Sequence, residues 1–257
     1  MKRYRGRGKQ RVKIVLAAGF LLLAIAVGCG LYLREHYPAG EAALIALEPD
    51  AEVTVLADGN TTAFIPEDGA ELGFVFYPGA KVEHTAYAPL LRQLAEEGVL
   101  CVLVEMPFRL AVLDQNAAKK IPGQYPEVTE WYIGGHSLGG SMAAACAADH
   151  GELFEGLVLL AAYSTEDLRE TGLRVLSAYG SEDGVLDLEN YEEYRGNLPE
   201  SVSETVIDGG NHACFGNYGP QDGDGTPRIT AEQQMKETAE LLLDFFRDRT
   251  AGGPRLP

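Results

Sequence analysis

Six consecutive apolar residues, Val99-Leu100-Cys101-Val102-Leu103-Val104, constrain this chain more than any other stretch. A strand points successive side chains to opposite faces. An unbroken apolar run of this length therefore needs both faces covered, as in the middle of a parallel sheet layered with helices. The surroundings agree with that. Leu72 to Tyr77 is a second such run, closed by Pro78-Gly79, and between the two Tyr87 to Glu97 has helical spacing (Leu90, Leu91, Leu94) stopped by Gly98. Further on, Trp131 to Ile133, Leu157 to Leu160, Arg174 to Tyr179 and Glu204 to Ile207 read as strands. Leu138 to Asp149, Leu188 to Arg195 and Thr230 to Arg247 read as helices, the last amphipathic with Met235, Leu242 and Phe245 or Phe246 inward. Ahead of this series, Val53 to Ala57 and Thr61 to Ile65 flank Asp58-Gly59-Asn60, a hairpin signal. The expected fold is α/β: a mostly parallel sheet with an antiparallel N-terminal pair and helices on both faces.

The N-terminus is different in kind. Residues 14–33, IVLAAGFLLLAIAVGCGLYL, hold no charge, and as a helix they would reach about 30 Å, the thickness of a hydrocarbon core. Seven bases (Lys2, Arg3, Arg5, Arg7, Lys9, Arg11 and Lys13) precede them, while the first acid is Glu35. That asymmetry favours a cytoplasmic N-terminus and an exported remainder. Of 21 bases and 38 acids, 14 bases and all 38 acids lie beyond residue 33, a charge of −24 within a total of −17. A domain so acidic repels phosphate, which argues against nucleic-acid partners. The expected organisation is a basic cytoplasmic segment (1–13), a transmembrane signal anchor (14–33), a stalk (34–49), a folded domain (50–249) and a disordered tail (250–257). A cleaved signal peptide fits less well, since the run is long and lacks an A-x-A site. A lipoprotein signal at Ala26-Val27-Gly28-Cys29, with Cys29 lipidated, is the other alternative, against which the apolar run continues through Leu33. Cys101, Cys146 and Cys214 make no metal-ligand spacing and predict no disulfide framework.

Gly134-Gly135-His136-Ser137-Leu138-Gly139-Gly140 joins the Trp131 strand to the Leu138 helix. It contains G-x-S-x-G, a string that gains meaning from this strand-to-helix context. A sharp turn that presents a serine needs glycines on both sides, because the backbone is strained and neighbouring chains come close. The hydroxyl then stands at a helix N-terminus, where free N–H groups favour negative charge. A serine nucleophile needs a base and an acid to orient it. Of five histidines, His212 follows the last strand, in Asp208-Gly209-Gly210-Asn211-His212; His36, His84, His136 and His150 are less well placed. Asp183, at the end of the Arg174 strand in Tyr179-Gly180-Ser181-Glu182-Asp183-Gly184, is the candidate acid, with Glu182, Asp187 and Asp208 as competitors. The order Ser137, Asp183, His212 is that of an α/β-hydrolase triad.

These residues, with Tyr77-Pro78-Gly79-Ala80, Ala86 to Leu90, Met106-Pro107 and Gly209-Gly210-Asn211-His212, resemble the α/β-hydrolases, specifically the compact, lid-poor group related to dienelactone hydrolases and small bacterial carboxylesterases. Dienelactone hydrolases use a cysteine nucleophile, and Ser137 stands there in this chain. The resemblance implies an oxyanion hole made by the N–H of Leu138 and that of Ala80, with Lys81 the alternative. It also implies a cofactor-free, metal-free serine hydrolase acting on a small ester-like substrate. Thioesterase, amidase and acyltransferase activity share the constellation, and a non-catalytic envelope scaffold is the alternative from another class.

The short span from Ala161 to Gly172 leaves no room for a lid domain and predicts an open, shallow cleft, which residues 108–124 and 213–228 could still cover. Asp222-Gly223-Asp224-Gly225 reads as a solvated turn rather than a calcium loop. Arg109 could meet an anionic substrate group or pair with Glu105, and Cys214 has no assigned role. Oligomeric state is not legible.

Overall fold

The computed structural model describes residues 4–248. The chain divides into two compact units, Met1–His36 and Tyr37–Pro257. The first is a helix, α1 (Tyr4–Arg34), which contains the uncharged stretch. The side chains at 25, 26, 29 and 31–33, that of Cys29 included, lie outside the described residues. Among the described residues no helix is long and apolar enough to cross a membrane, so the expected transmembrane helix is not found there. The expected disordered tail also lies outside the described residues.

The second unit is built on one eight-stranded sheet with the order β1-β2-β4-β3-β5-β6-β7-β8. The strands are β1 (Val53–Asp58), β2 (Thr61–Pro66), β3 (Leu72–Tyr77), β4 (Val99–Val104), β5 (Glu130–His136), β6 (Gly156–Leu160), β7 (Arg174–Gly180) and β8 (Ser203–Ile207). The hairpin β1–β2 is antiparallel and places β2 antiparallel to β4; all other pairs are parallel. Period-2 alternation splits the β4 run between two cores. Val99, Cys101 and Leu103 join Phe74 and Phe76 on one face, while Leu100, Val102 and Val104 join Val75 and Tyr77 on the other. Helices α3 (Ala88–Glu96) and α6 (Ala231–Arg247) bury Leu90, Leu94, Leu242 and Phe246 against the first face. Helix α4 (Leu138–Asp149) covers the second with Ala143, Ala144 and Ala147. Small residues let α4 lie close to the sheet, directly after Ser137 at the end of β5.

Helix α6 starts at a reciprocal cap. Thr230 Oγ1 accepts from Gln233 N–H at 3.1 Å, and Gln233 Oε1 accepts from Thr230 N–H at 2.9 Å. Both Phe245 and Phe246 are buried, where the spacing predicted one. No helix intervenes between β6 and β7.

Residues 37–49, read from sequence as part of a stalk, pack into the second unit. Tyr37 N–H donates to Lys81 O (2.8 Å), Gly40 N–H donates to Asn217 O (2.7 Å), and the short helix α2 (Glu41–Ile45) buries Ala43. A single turn of helix is too short for periodicity to reveal which face it buries. The turns into β3 and β4 at the amino ends of the strands use Gly69 and Gly98, left-handed (φ 79° and 89°) with open space where a Cβ would stand.

Candidate active site

Among the described residues, five that are not glycine hold left-handed backbone: Lys81, Phe108, Arg109, Ser137 and Ala161. They follow the carboxyl ends of β3, β4, β5 and β6, four adjacent parallel strands. Each such residue costs on the order of 1–3 kcal/mol, and strain of this kind collects where function requires it. Open α/β sheets form their sites at this same end.

Ser137 (φ 54°, ψ −127°) is the N-cap of α4. Its N–H donates to Leu160 O at 2.9 Å, and its carbonyl accepts from Ser141 N–H at 3.1 Å, so both sides of the turn are fixed. The flanking glycines are required by contact. A Cβ on Gly139 would overlap the carbonyl oxygens of Pro78 and Tyr77, one on Gly135 would sit 2.5 Å from Tyr77 O, and one on Gly140 would sit 2.6 Å from Ala162 Cβ. The elbow is thereby pressed against the turn after β3. Within that turn Lys81 N–H donates to Arg109 O (2.9 Å) and Gly79 N–H to the Tyr87 hydroxyl (3.0 Å). Among the described residues, the N–H groups of Ala80 and Leu138 have no protein acceptor. Of the two alternatives at the turn, Lys81 is therefore already engaged and Ala80 is not.

His212 and Asp183 come together from the ends of β8 and β7. His212 Nδ1–H donates to Asp183 Oδ2 at 2.9 Å, with both side chains 1% exposed. The other carboxylate oxygen of Asp183 accepts from Val185 N–H (2.9 Å) and Leu186 N–H (2.8 Å), which fixes its orientation. A carboxylate can only accept, so the imidazole proton sits on Nδ1 and the Nε2 lone pair is left without a protein partner. The competing acids are engaged elsewhere. Glu182 and Asp208 both pair with Arg228 (2.9 and 2.5 Å), and Asp187 caps the helix α5 (Leu188–Tyr194) by accepting from Asn190 N–H. No Ser137–His212 hydrogen bond forms, but the His136 ring centroid lies 4.5 Å from that of His212, which sets the elbow beside the imidazole.

His136 was set aside in the sequence and proves to be part of a buried network. The Tyr87 hydroxyl accepts from Gly79 N–H and shares a 2.8 Å hydrogen bond with His136 Nδ1. Burial, then the neighbouring His212, holds His136 well below the ordinary histidine value, so it is neutral. Phe215 packs on His136 (5.5 Å between centroids) and Tyr218 on Tyr87 (6.3 Å). Residues 213–218 therefore fold inward and enclose His212, where a shallow open cleft was expected. A cavity of about 600 Å³ lies at the other end of the sheet, lined by Glu52, Glu67, Asp68, Gly69 and residues 95–98.

Asp224 also departs from its reading as part of a solvated turn. Its carboxylate accepts from the N–H groups of Gly184, His212, Ala213 and Gly225. A side chain that serves only backbone donors leaves no pattern in sequence. The Arg109 carbonyl is what engages the turn after β3. The Cys214 thiol is pushed up to about 11 by burial and then by the charge of Asp224, so it stays neutral. Cys101, Cys146 and Cys214 are free and buried. No group of metal-ligating side chains occurs among the described residues.

Known structures share this architecture. The chain is similar to TT1662 from Thermus thermophilus (16% identity, TM-score 0.57, covering 77% of this chain and 99% of that one). It is similar to a dienelactone hydrolase from Anabaena variabilis (15%, 0.55, 76% and 97%) and to naproxen esterase, carboxylesterase NP, from Bacillus subtilis (11%, 0.56, 80% and 95%). At these identities the likeness concerns the fold alone. No curated protein matches the chain. A family model described as the alpha/beta hydrolase family matches residues 73–236. That match runs from β3 through the elbow and both loops of the Asp183–His212 pair into α6, and by it the chain belongs to the alpha/beta hydrolase family.

Proposed function

We propose that this chain is a serine hydrolase that cleaves small ester-type substrates, held at the membrane by its uncharged N-terminal run with the catalytic domain outside the cytoplasm. The buried Asp183–His212 pair, at the sheet end that carries the strained Ser137, is the observation on which the reading rests. His212 Nε2 takes the hydroxyl proton of Ser137 as Oγ attacks the ester carbonyl. The charge that develops on the carbonyl oxygen meets the N–H groups of Leu138 and Ala80, donors of a kind worth roughly 3 kcal/mol each. When the carbonyl–oxygen bond breaks, His212 returns the proton to the departing alcohol. Water then repeats the sequence on the acyl-enzyme and frees the acid. Asp183 holds the tautomer that makes Nε2 the base. No cofactor enters these steps.

An ester substrate is supported by the naming of one structural neighbour as an esterase and of another as a dienelactone hydrolase. A small acyl group is supported by the absence of a helix between β6 and β7 and by the enclosed His212. The anchor is supported by the uncharged run 14–33 and the bases before it. A fluorophosphonate probe should label the folded protein at Ser137 and fail to label Ser137→Ala; an unlabelled wild type would overturn the catalytic reading. In a panel of esters of rising acyl length, short chains should be turned over faster, and a strong preference for long chains would refute the small-substrate claim. The full chain should sediment with membranes and be degraded by protease added outside intact cells; protection of the domain would refute the orientation.

A further inference from the structure

Three segments meet around the Asp183–His212 pair: the acid loop 182–184, the base loop 211–214, and residues 223–225. The third is in backbone contact with the first, since a Cβ on Gly184 would lie 2.7 Å from Gly223 O and one on Gly225 would overlap Glu182 O. Asp224 ties the three together. Its Oδ1 accepts from Gly184 N–H (3.1 Å), His212 N–H (3.2 Å) and Gly225 N–H (2.8 Å), and its Oδ2 accepts from Ala213 N–H (2.8 Å). One carboxylate thus holds the residue after the acid and the base residue itself. Asn211 closes the same loop from the other side, with Nδ2 donating to Gly225 O (2.8 Å) and Oδ1 accepting from Cys214 N–H (3.0 Å). Asp183 and His212 belong to different strand ends, and the 2.9 Å bond between them exists only while their loops keep this register.

We infer that Asp224 is a positioning residue of the active site, whose carboxylate aligns the His212 imidazole by clasping the backbones of the acid and base loops. The inference rests on the serine-hydrolase reading. An anion is suited to the task because it accepts several N–H bonds at once and each is strengthened by its charge.

Asp224→Asn tests it. The amide keeps one acceptor oxygen but turns an NH2 group toward a backbone N–H, so the clasp opens without loss of volume. A misplacement of about 1 Å at a catalytic group can cost up to about 100-fold. The fluorophosphonate labelling rate constant at Ser137 and kcat for a short ester should accordingly fall by roughly 10- to 100-fold, with KM little changed. The low-field proton resonance of His212 Nδ1–H should shift or broaden. Asp222→Asn, at an exposed neighbouring acid, should keep the wild-type rate and resonance. The labelling rate constant counts only folded molecules, so lost stability does not imitate the effect. Should Asp224→Asn not accumulate as folded protein, Asp224→Glu, which keeps the charge but displaces it by one methylene, carries the same comparison. If the wild type is labelled and the folded variant matches it in rate and resonance, the positioning role is overturned. Failure of both variants to fold also overturns it, in favour of a purely structural role. A wild type that is never labelled refutes the serine-hydrolase reading instead.

Discussion

Gly139→Ala gives a sharp test of how the elbow is built. The new Cβ would overlap the carbonyl oxygens of Tyr77 and Pro78, both backbone atoms at the end of β3, so no flexible side chain can move aside. Tyr77 is paired in register with Gly135 of β5, and its hydroxyl is held by Ala118 N–H (2.7 Å) and Gln115 O (2.9 Å). Relief must come from parting the turn 78–81 from the start of α4 by about 1 Å. Overpacking of this kind typically costs about 1–3 kcal/mol of stability. The catalytic cost should be larger in proportion, because the same displacement separates the Ala80 and Leu138 N–H groups that are proposed to share one oxyanion. Losing the geometry of one such donor lowers kcat by roughly 10²- to 10³-fold. The assay is steady-state turnover of a short ester with thermal unfolding measured on the same sample. Gly123→Ala, where a Cβ would meet open space, serves as the control. If Gly139→Ala retains native kcat, the argument that this contact sets the donor spacing is refuted.

Other substitutions probe the rest of the site. Asp183→Asn should cut kcat by roughly 10⁴-fold with little change in KM, because the amide no longer enforces the Nδ1–H tautomer of His212; a loss below tenfold would count against the pair. Tyr87→Phe removes the acceptor of a buried N–H, that of Gly79, and should lower the unfolding free energy by about 1–3 kcal/mol in denaturant titration; an unchanged midpoint would show that hydroxyl to be idle. For His136 the sign follows from linkage. The unfolded chain binds a proton near the ordinary value of 6.5 that the folded ring refuses. The stabilising contribution is thus complete above that value and is lost as the pH falls. The thermal midpoint should therefore drop between about pH 7.5 and about pH 5, less steeply in His136→Gln, and parallel slopes would refute the assignment.

The centre of the sheet was legible because β3 and β4 are nearly continuous apolar runs. Val99–Val104 and Leu72–Tyr77 end where the residues change character. Strand β5 was read too short. Gly134, Gly135 and His136 look like turn residues, yet Gly134 and Gly135 pair with Phe76 and Tyr77 on one side and with Val158 and Leu159 on the other, since only glycine fits between such close neighbours. Ser137, Asp183 and His212 were singled out as candidates by their places after strands. Tyr87, His136 and Asp224 were not, because each acts on a backbone group or another buried ring, and no residue spacing encodes such a partner. The packing of residues 37–49 was missed for a related reason: small side chains such as Ala43 carry no signal until a neighbour covers them.

The two ends of the sheet differ in how much change they can absorb. At the carboxyl ends of β3 and β5, Gly135 and Gly139 meet backbone, so an atom added to the elbow has nowhere to go. At the amino ends of β3 and β4, Gly69 and Gly98 face open space. Lengthening a surface loop there adds only about 0.6 kcal/mol for each doubling of its length. A second module, a tag or a tether can accordingly be grafted at 67–69 or 97–98 with the length of the strands between it and Ser137. The strands thus separate an end that is closed to elaboration at the elbow from one that is free to acquire it.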